Sequence, residues 1–155
     1  YGVSVAEVLG QFLSKINIEL TTQQLEGGIL YDKLVADDYQ GIIWSFNSGA
    51  DPVKALQRWH SKTENTSGNY VHYNNAEYDK LVDKAGTTTD ASERVKYLQA
   101  ADKLFTEDAA VWIFNYNKAV LAVQPWVHGI KPVAIEAMYQ DFSDVWIDKT
   151  SPRAK

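Results

Sequence analysis

The sequence predicts an α/β fold, a mixed sheet flanked by helices. The first observation is that short alternating or apolar segments (16–20, 39–46, 111–115 and 119–123) read as strands between stretches with helical apolar spacing. The second is residues 40–52, Gln-Gly-Ile-Ile-Trp-Ser-Phe-Asn-Ser-Gly-Ala-Asp-Pro, where an apolar run breaks into a polar, glycine-containing loop. A buried strand that delivers an aromatic, an amide and a carboxylate to its carboxyl end is a common α/β ligand site. The candidate binding residues are therefore Trp44, Phe46, Asn47, Ser48 and Asp51.

The elements follow in order. Residues 3–15 place Val5, Val8, Leu9, Phe12 and Leu13 at helical spacing, giving an amphipathic helix. Ile16-Asn17-Ile18-Glu19-Leu20 alternates apolar and polar as a half-buried strand does. Residues 23–36 form a second helix with Leu25, Ile29, Leu30 and Leu34 on one side, despite Gly27-Gly28, and Asp37-Asp38 end it. Residues 39–46 make the next strand, and this order predicts a parallel pair covered by helices.

Pro52 suits a first helical turn, so 53–60 is a short helix after Asp51, which also suits capping. Residues 61–68 are a polar loop. Asn75 caps a helix over 76–85, with Glu77 and Asp79 in its first turn and Gly86 closing it. Asp90 starts the clearest helix, 91–107, whose stripe is Val95, Leu98, Ala101, Leu104 and Phe105. Beyond Pro125 only strand-like pieces at 126–130 and 144–147 remain.

Composition narrows the function. A net charge of −5 with mixed signs and no basic stripe argues against a nucleic-acid partner. No apolar run approaches the ~18 residues of a membrane span. Zero cysteine removes disulfides, thiolate catalysis and cysteine–zinc sites. Five Trp, nine Tyr and five Phe supply either an aromatic core or an aromatic-lined cleft. Tyr1-Gly2 runs at once into a periodic apolar segment, which reads as a chain cut from something longer.

No catalytic set stands out. His60, His72 and His128 lack a second ligand at chelating spacing, which predicts surface or hydrogen-bonded histidines, with no metal and no cofactor. Asp37-Asp38 reads as a solvated pair at a helix end. Asn65-Thr66-Ser67 is a formal glycosylation triplet of the kind that polar loops contain by chance. Nucleophile elbows and phosphate-binding glycine loops are absent from the sequence.

Five segments, in chain order, resemble the extracytoplasmic solute-binding proteins of peptide and nickel ABC importers (family 5). Ala6–Leu20 is similar to that family's helix and Leu-x-Lys-Ile-Gly-Ile-x-Val strand, with Asn17 at the usual glycine. Trp44 and Asp51-Pro52 match the family's loop tryptophan and acidic-Pro pair. Tyr73-Asn74-Asn75-Ala76-Glu77-Tyr78-Asp79-Lys80-Leu81 resembles its Tyr-x-Asn-x-(Glu/Lys)-x-Asp-x-Leu run. In 90–111, Arg94, Tyr97, Leu98 and Ala101 precede Glu107-Asp108-Ala109-Ala110-Val111, where family members usually carry proline near Ala110. Residues 121–129 look like its Val-Lys-Pro-Trp-Val-x-Gly piece.

The resemblance implies a periplasmic-binding-protein-like lobe of type II. Residues 1–116 would be the C-terminal ligand-binding lobe, and 117–155 a tail that in full-length relatives returns to the N-terminal lobe. It further implies solute binding for ABC import without catalysis, a peptide or similar small solute as ligand, permease subunits as partners, and an extracytoplasmic location. In peptide binders of the family, an acidic residue three positions after the loop tryptophan neutralises the peptide ammonium. Asn47 occupies that place, and a neutral acceptor is about half as strong as a charged one. Either Asp51 substitutes, or the ligand lacks an amine, as oligosaccharides, modified peptides and metal chelates do. The rival expectation is a standalone interaction module. Trp126, Val127, Ile130, Val145, Trp146 and Ile147 would need another partner, which predicts a disordered tail or self-association into a homo-oligomer.

Overall fold

Helix caps set most element boundaries in this computed structural model, which describes residues 2–46, 49–63, 68–116, 120–131 and 142–152. The helices are α1 (Gly2–Ser14), α2 (Gly27–Val35), α3 (Pro52–Gln57), α4 (Ala76–Thr87) and α5 (Ala91–Glu107). Two short strands follow, β1 (Val127–His128) and β2 (Trp146–Ile147).

The N-termini obey local chemistry. Asp51, Asn75 and Asp90 cap α3, α4 and α5 by accepting first-turn backbone N–H groups, which no intrahelical carbonyl can reach. Both limits of α5 match the expectation from sequence. In α2, Glu26 accepts from the Gly28 and Ile29 N–H groups, so the helix starts at Gly27 rather than at residue 23. Those two hydrogen bonds hold the Glu26 carboxyl below its ordinary range.

The stops are equally local. The N–H of Ile18 donates to the Leu13 carbonyl and that of Asn17 to Ser14, with Asn17 left-handed at φ 61. The N–H groups of Asp38 and Asp37 close α2 in the same way onto Lys33 and Leu34, with Asp37 at φ 54. This doubled closure satisfies terminal carbonyls and requires a left-handed residue, which Asn and Asp tolerate. By contrast α4 runs through Gly86, read from sequence as its end, to Thr87. Gly86 faces α3 there, where a Cβ would lie in ordinary contact with Val53 and Gln57.

The core lies where α3, α4 and α5 pack together. Its buried members are Trp59, Tyr73, Tyr78, Val82, Ala101 and Phe105. Trp59 stacks on Phe105 at 5.1 Å, and Tyr73 meets both Tyr78 and Phe105 edge-on at 5.1 Å. Such pairs add roughly 0.5–1.5 kcal/mol each beyond area burial. The Tyr78 hydroxyl donates to the Leu56 carbonyl at 2.7 Å, and burial raises the phenol pKa of Tyr73 and Tyr78.

The strand expectations are corrected. Among the described residues, 16–20, 39–46, 111–115 and 120–123 join no ladder. Among the described residues the sheet is one antiparallel pair, Val127 opposite Ile147 and His128 opposite Trp146. Ile16 and Asn17 are consumed by the stop of α1, which removes the start of the first expected strand. Elsewhere alternation marks which faces can be buried but supplies no neighbour for the backbone N–H and C=O groups. The fold is therefore helix-rich with a small sheet, and the expected parallel pair is not formed. The described parts of the tail pair as β1 and β2, leaving Trp146 and Ile147 exposed. No described helix is long and apolar enough to cross a membrane.

Candidate functional site

The apolar run 42–44 is half-buried, and its tryptophan stands against α2: the Tyr31 and Trp44 rings lie 6.3 Å apart. Tyr31 also meets Tyr70 edge-on at 6.5 Å. The Tyr39 hydroxyl donates to the Tyr70 carbonyl at 2.6 Å, pinning that loop to the start of the apolar run. A hydrogen bond with Tyr31, together with burial, raises the Tyr70 phenol.

Phe46 joins this surface to the core by standing edge-on to Trp59 at 5.4 Å. The Arg58 guanidinium covers the Phe46 ring at 4.5 Å, and burial lowers its pKa. Gly68 makes room for that arginine. At φ +130 it is in a region open to glycine, and a Cβ there would fall 2.6 Å from Arg58 Cγ.

Asn69, fully buried, holds the next turn. Its Oδ1 accepts from the Tyr73 N–H at 2.9 Å, and its Nδ2 donates to the Tyr73 carbonyl at 2.8 Å. The clamp fixes Tyr70 between two anchored residues. The result is a cavity of about 90 Å³ walled by Trp44, Phe46, Trp59, Tyr70, Trp112 and Phe114. Leu34 and Ile42 complete it on the side of α2, and among the described residues no acidic or basic side chain lines it.

The residues singled out from sequence divide three ways. Trp44 and Phe46 line the cavity. Asp51 stands apart from it, where its Oδ1 accepts from the Val53 N–H at 3.0 Å and from Arg94 at 2.8 Å. A ligand ammonium at Asp51 would compete with that guanidinium. Asn47 and Ser48 lie outside the described residues. Reasoning from sequence missed Trp59, Tyr70, Trp112 and Phe114 as walls, and Asn69 as their clamp. Aromatic abundance was the available signal, but the wall residues are too far apart in sequence for any local pattern to join them.

Each histidine faces a carboxylate. The Lys62 N–H donates to His60 Nδ1 at 3.1 Å, while His60 Nε2 lies 3.4 Å from Asp83, buried and without a hydrogen-bond partner. His72 meets Asp37 at 3.0 Å and His128 meets Asp148 at 2.8 Å. Among the described residues, no three His, Cys, Asp or Glu side chains are grouped to hold a metal ion.

No family model matches the chain. It is 32% identical over 108 residues to the probable D,D-dipeptide-binding periplasmic protein DdpA of Escherichia coli (strain K12), covering 68% of this chain and 21% of that protein. It is 27% identical over 112 residues to the oligopeptide-binding protein OppA of Bacillus subtilis (strain 168), covering 69% of this chain and 20% of OppA. To the oligopeptide-binding protein AppA of the same organism it is 28% identical over 131 residues, covering 82% of this chain and 24% of AppA. The chain thus matches between a fifth and a quarter of the length of these relatives, each named for binding peptides.

Proposed function

We propose that this chain is the C-terminal ligand-binding lobe of an extracytoplasmic solute-binding protein. It would hold a peptide or similar small solute for an ABC-type importer and perform no reaction on it. The observation that carries this reading is the setting of Trp44. The loop tryptophan is not sealed in the core but walls an apolar, aromatic cavity. The peptide-binding names of the three relatives support the ligand class.

The size of the cavity fits one subsite of a larger site. About 90 Å³ is well below the roughly 300–1,000 Å³ of complete ligand pockets. In this reading a second lobe closes over Trp44 and its loop, and the closed form is what the permease recognises. Residues 1–116 make the binding lobe, and 117–155 the tail that docks on the second lobe. Trp112 at 65% and Tyr116 at 86% exposure fit a surface completed elsewhere. Trp44, Phe46, Asn47, Ser48 and Asp51 remain the proposed ligand set. A standalone self-associating module is less favoured, because all three matched proteins are named for ligand binding.

The experiment is a titration of di- and tripeptides, followed by tryptophan fluorescence, on this chain and on the whole protein that contains it. The chain alone should bind weakly, at millimolar concentration, and the whole protein at least tenfold more tightly. Trp44→Ala should weaken binding about tenfold, the scale of one lost aromatic contact. Absence of peptide binding by the whole protein, or tight binding by the chain alone, would defeat the proposal.

A further inference from the structure

We infer that the cavity behind Trp44 is a specificity subsite for one small aliphatic side chain of the ligand, of valine or leucine size. This rests on the reading of the chain as a peptide-binding lobe, and it adds which side chain that lobe selects.

Wall chemistry comes first. The described lining is aromatic and aliphatic, and an ionised side chain placed there would lose its water with no opposite charge among those walls to replace it. Arg58 is turned onto the Phe46 ring and is not among the described wall residues. Shape adds direction. Trp59 and Tyr70, each 8% exposed, form the floor, while Phe46 at 37% and Trp112 at 65% mark the open side.

Volume then selects the occupant. An apolar cavity of ~150 Å³ holds a benzene ring. About 90 Å³ is roughly three-fifths of that, room for three or four carbons and too little for a phenyl or indole. The walls are also held in place beforehand. Phe46 rests on Trp59, Trp59 stacks on Phe105, and Tyr70 is fixed by Tyr39 and the Asn69 clamp. A preformed site loses little affinity to ordering, so its selectivity reaches the measured constant.

The test uses tri-alanine and its variants carrying one Leu, Asp or Trp at each position, titrated into the 155-residue chain. Binding is read from the five indole N–H signals in a heteronuclear NMR spectrum. At one position Leu should tighten binding roughly 10- to 150-fold over Ala, the range expected for burying one such side chain. Asp and Trp at that position should bind no better than Ala. Trp44, Trp59 and Trp112 line the cavity and should report the Leu peptide, while Trp126 and Trp146 should not. Val71 is a partly exposed wall residue, and Val71→Phe should bring the Leu-to-Ala ratio to within about twofold. Tri-alanine binding with no Leu advantage at any position would overturn the subsite and leave the proposed function standing. A Leu advantage that survives Val71→Phe, or moves only the Trp126 and Trp146 signals, would also overturn it. If no tripeptide binds the 155-residue chain, the same peptides are titrated into the whole protein: no binding there defeats the peptide-binding reading, and binding without a Leu advantage overturns the subsite alone.

Discussion

Replacing Asn69 with leucine tests whether one buried side chain holds the wall of the candidate site. Asn69 is fully buried and closes a ring with Tyr73, whose N–H and carbonyl it satisfies at 2.9 and 2.8 Å. A third contact, to the His60 carbonyl at 3.4 Å, is too long to count for much. Leucine has nearly the same shape but can neither donate nor accept. Asn69→Leu therefore strands two backbone groups of a buried residue, at about 1–3 kcal/mol each. Some is offset by the more favourable burial of leucine, which leaves an expected loss of about 2–4 kcal/mol. That is a large share of the ~5–15 kcal/mol by which domains are stable. Urea unfolding followed by tryptophan fluorescence, with unchanged m, measures it. Asn74→Leu is the control, since Asn74 is exposed and its change should stay within about 0.5 kcal/mol. A loss below about 1 kcal/mol for Asn69→Leu, or one equal to the control, would refute the reasoning. The amide of Tyr73 should also lose hydrogen-exchange protection in the variant.

Three further outcomes are expected. Tyr78→Phe deletes the hydroxyl that satisfies the Leu56 carbonyl and should cost about 1–2 kcal/mol in the same unfolding assay. Asp51→Ala removes the cap of α3 and should cost about 1 kcal/mol, whereas Arg94→Ala, which breaks only a half-exposed ion pair, should cost less than about 0.5 kcal/mol. Hydrogen bonds from His128 and Thr150 hold the Asp148 carboxyl down to about 2, against ~3.9 for a free aspartate. A depressed carboxyl stabilises above its unfolded pKa and loses that contribution as pH falls through the folded one. The β1–β2 pairing, followed by the Trp146 indole signal, should therefore weaken between about pH 4 and pH 2, and Asp148→Asn should abolish that acid transition.

Helices were legible because their signals are local. Asp90 and Glu107 bound α5 in both sequence and structure, and Asn75 and Asp51-Pro52 start their helices where capping chemistry requires. A first-turn N–H is satisfied from one to three residues away, so a short window contains the whole interaction. Gly86 misled for the same reason in reverse. Glycine is a common stop, but α4 continues through Gly86 to Thr87 where it faces Val53 and Gln57 of α3, neighbours that no window around residue 86 contains.

The amino-acid sequence by itself determined the caps of α3, α4 and α5 and both limits of α5, because each depends on neighbours along the chain. Only the tertiary structure decided the rest. It left the segments at 39–46 and 111–115 outside any ladder, since a strand exists only where another chain segment offers its N–H and C=O. It assigned Asp51 to Arg94, 43 residues away, and placed Asn69 across Tyr73. It also brought Trp44, Trp59, Tyr70 and Trp112 around one cavity. Burial and pairing join residues by distance in space, and alternation along a chain states which face is apolar without stating what will cover it.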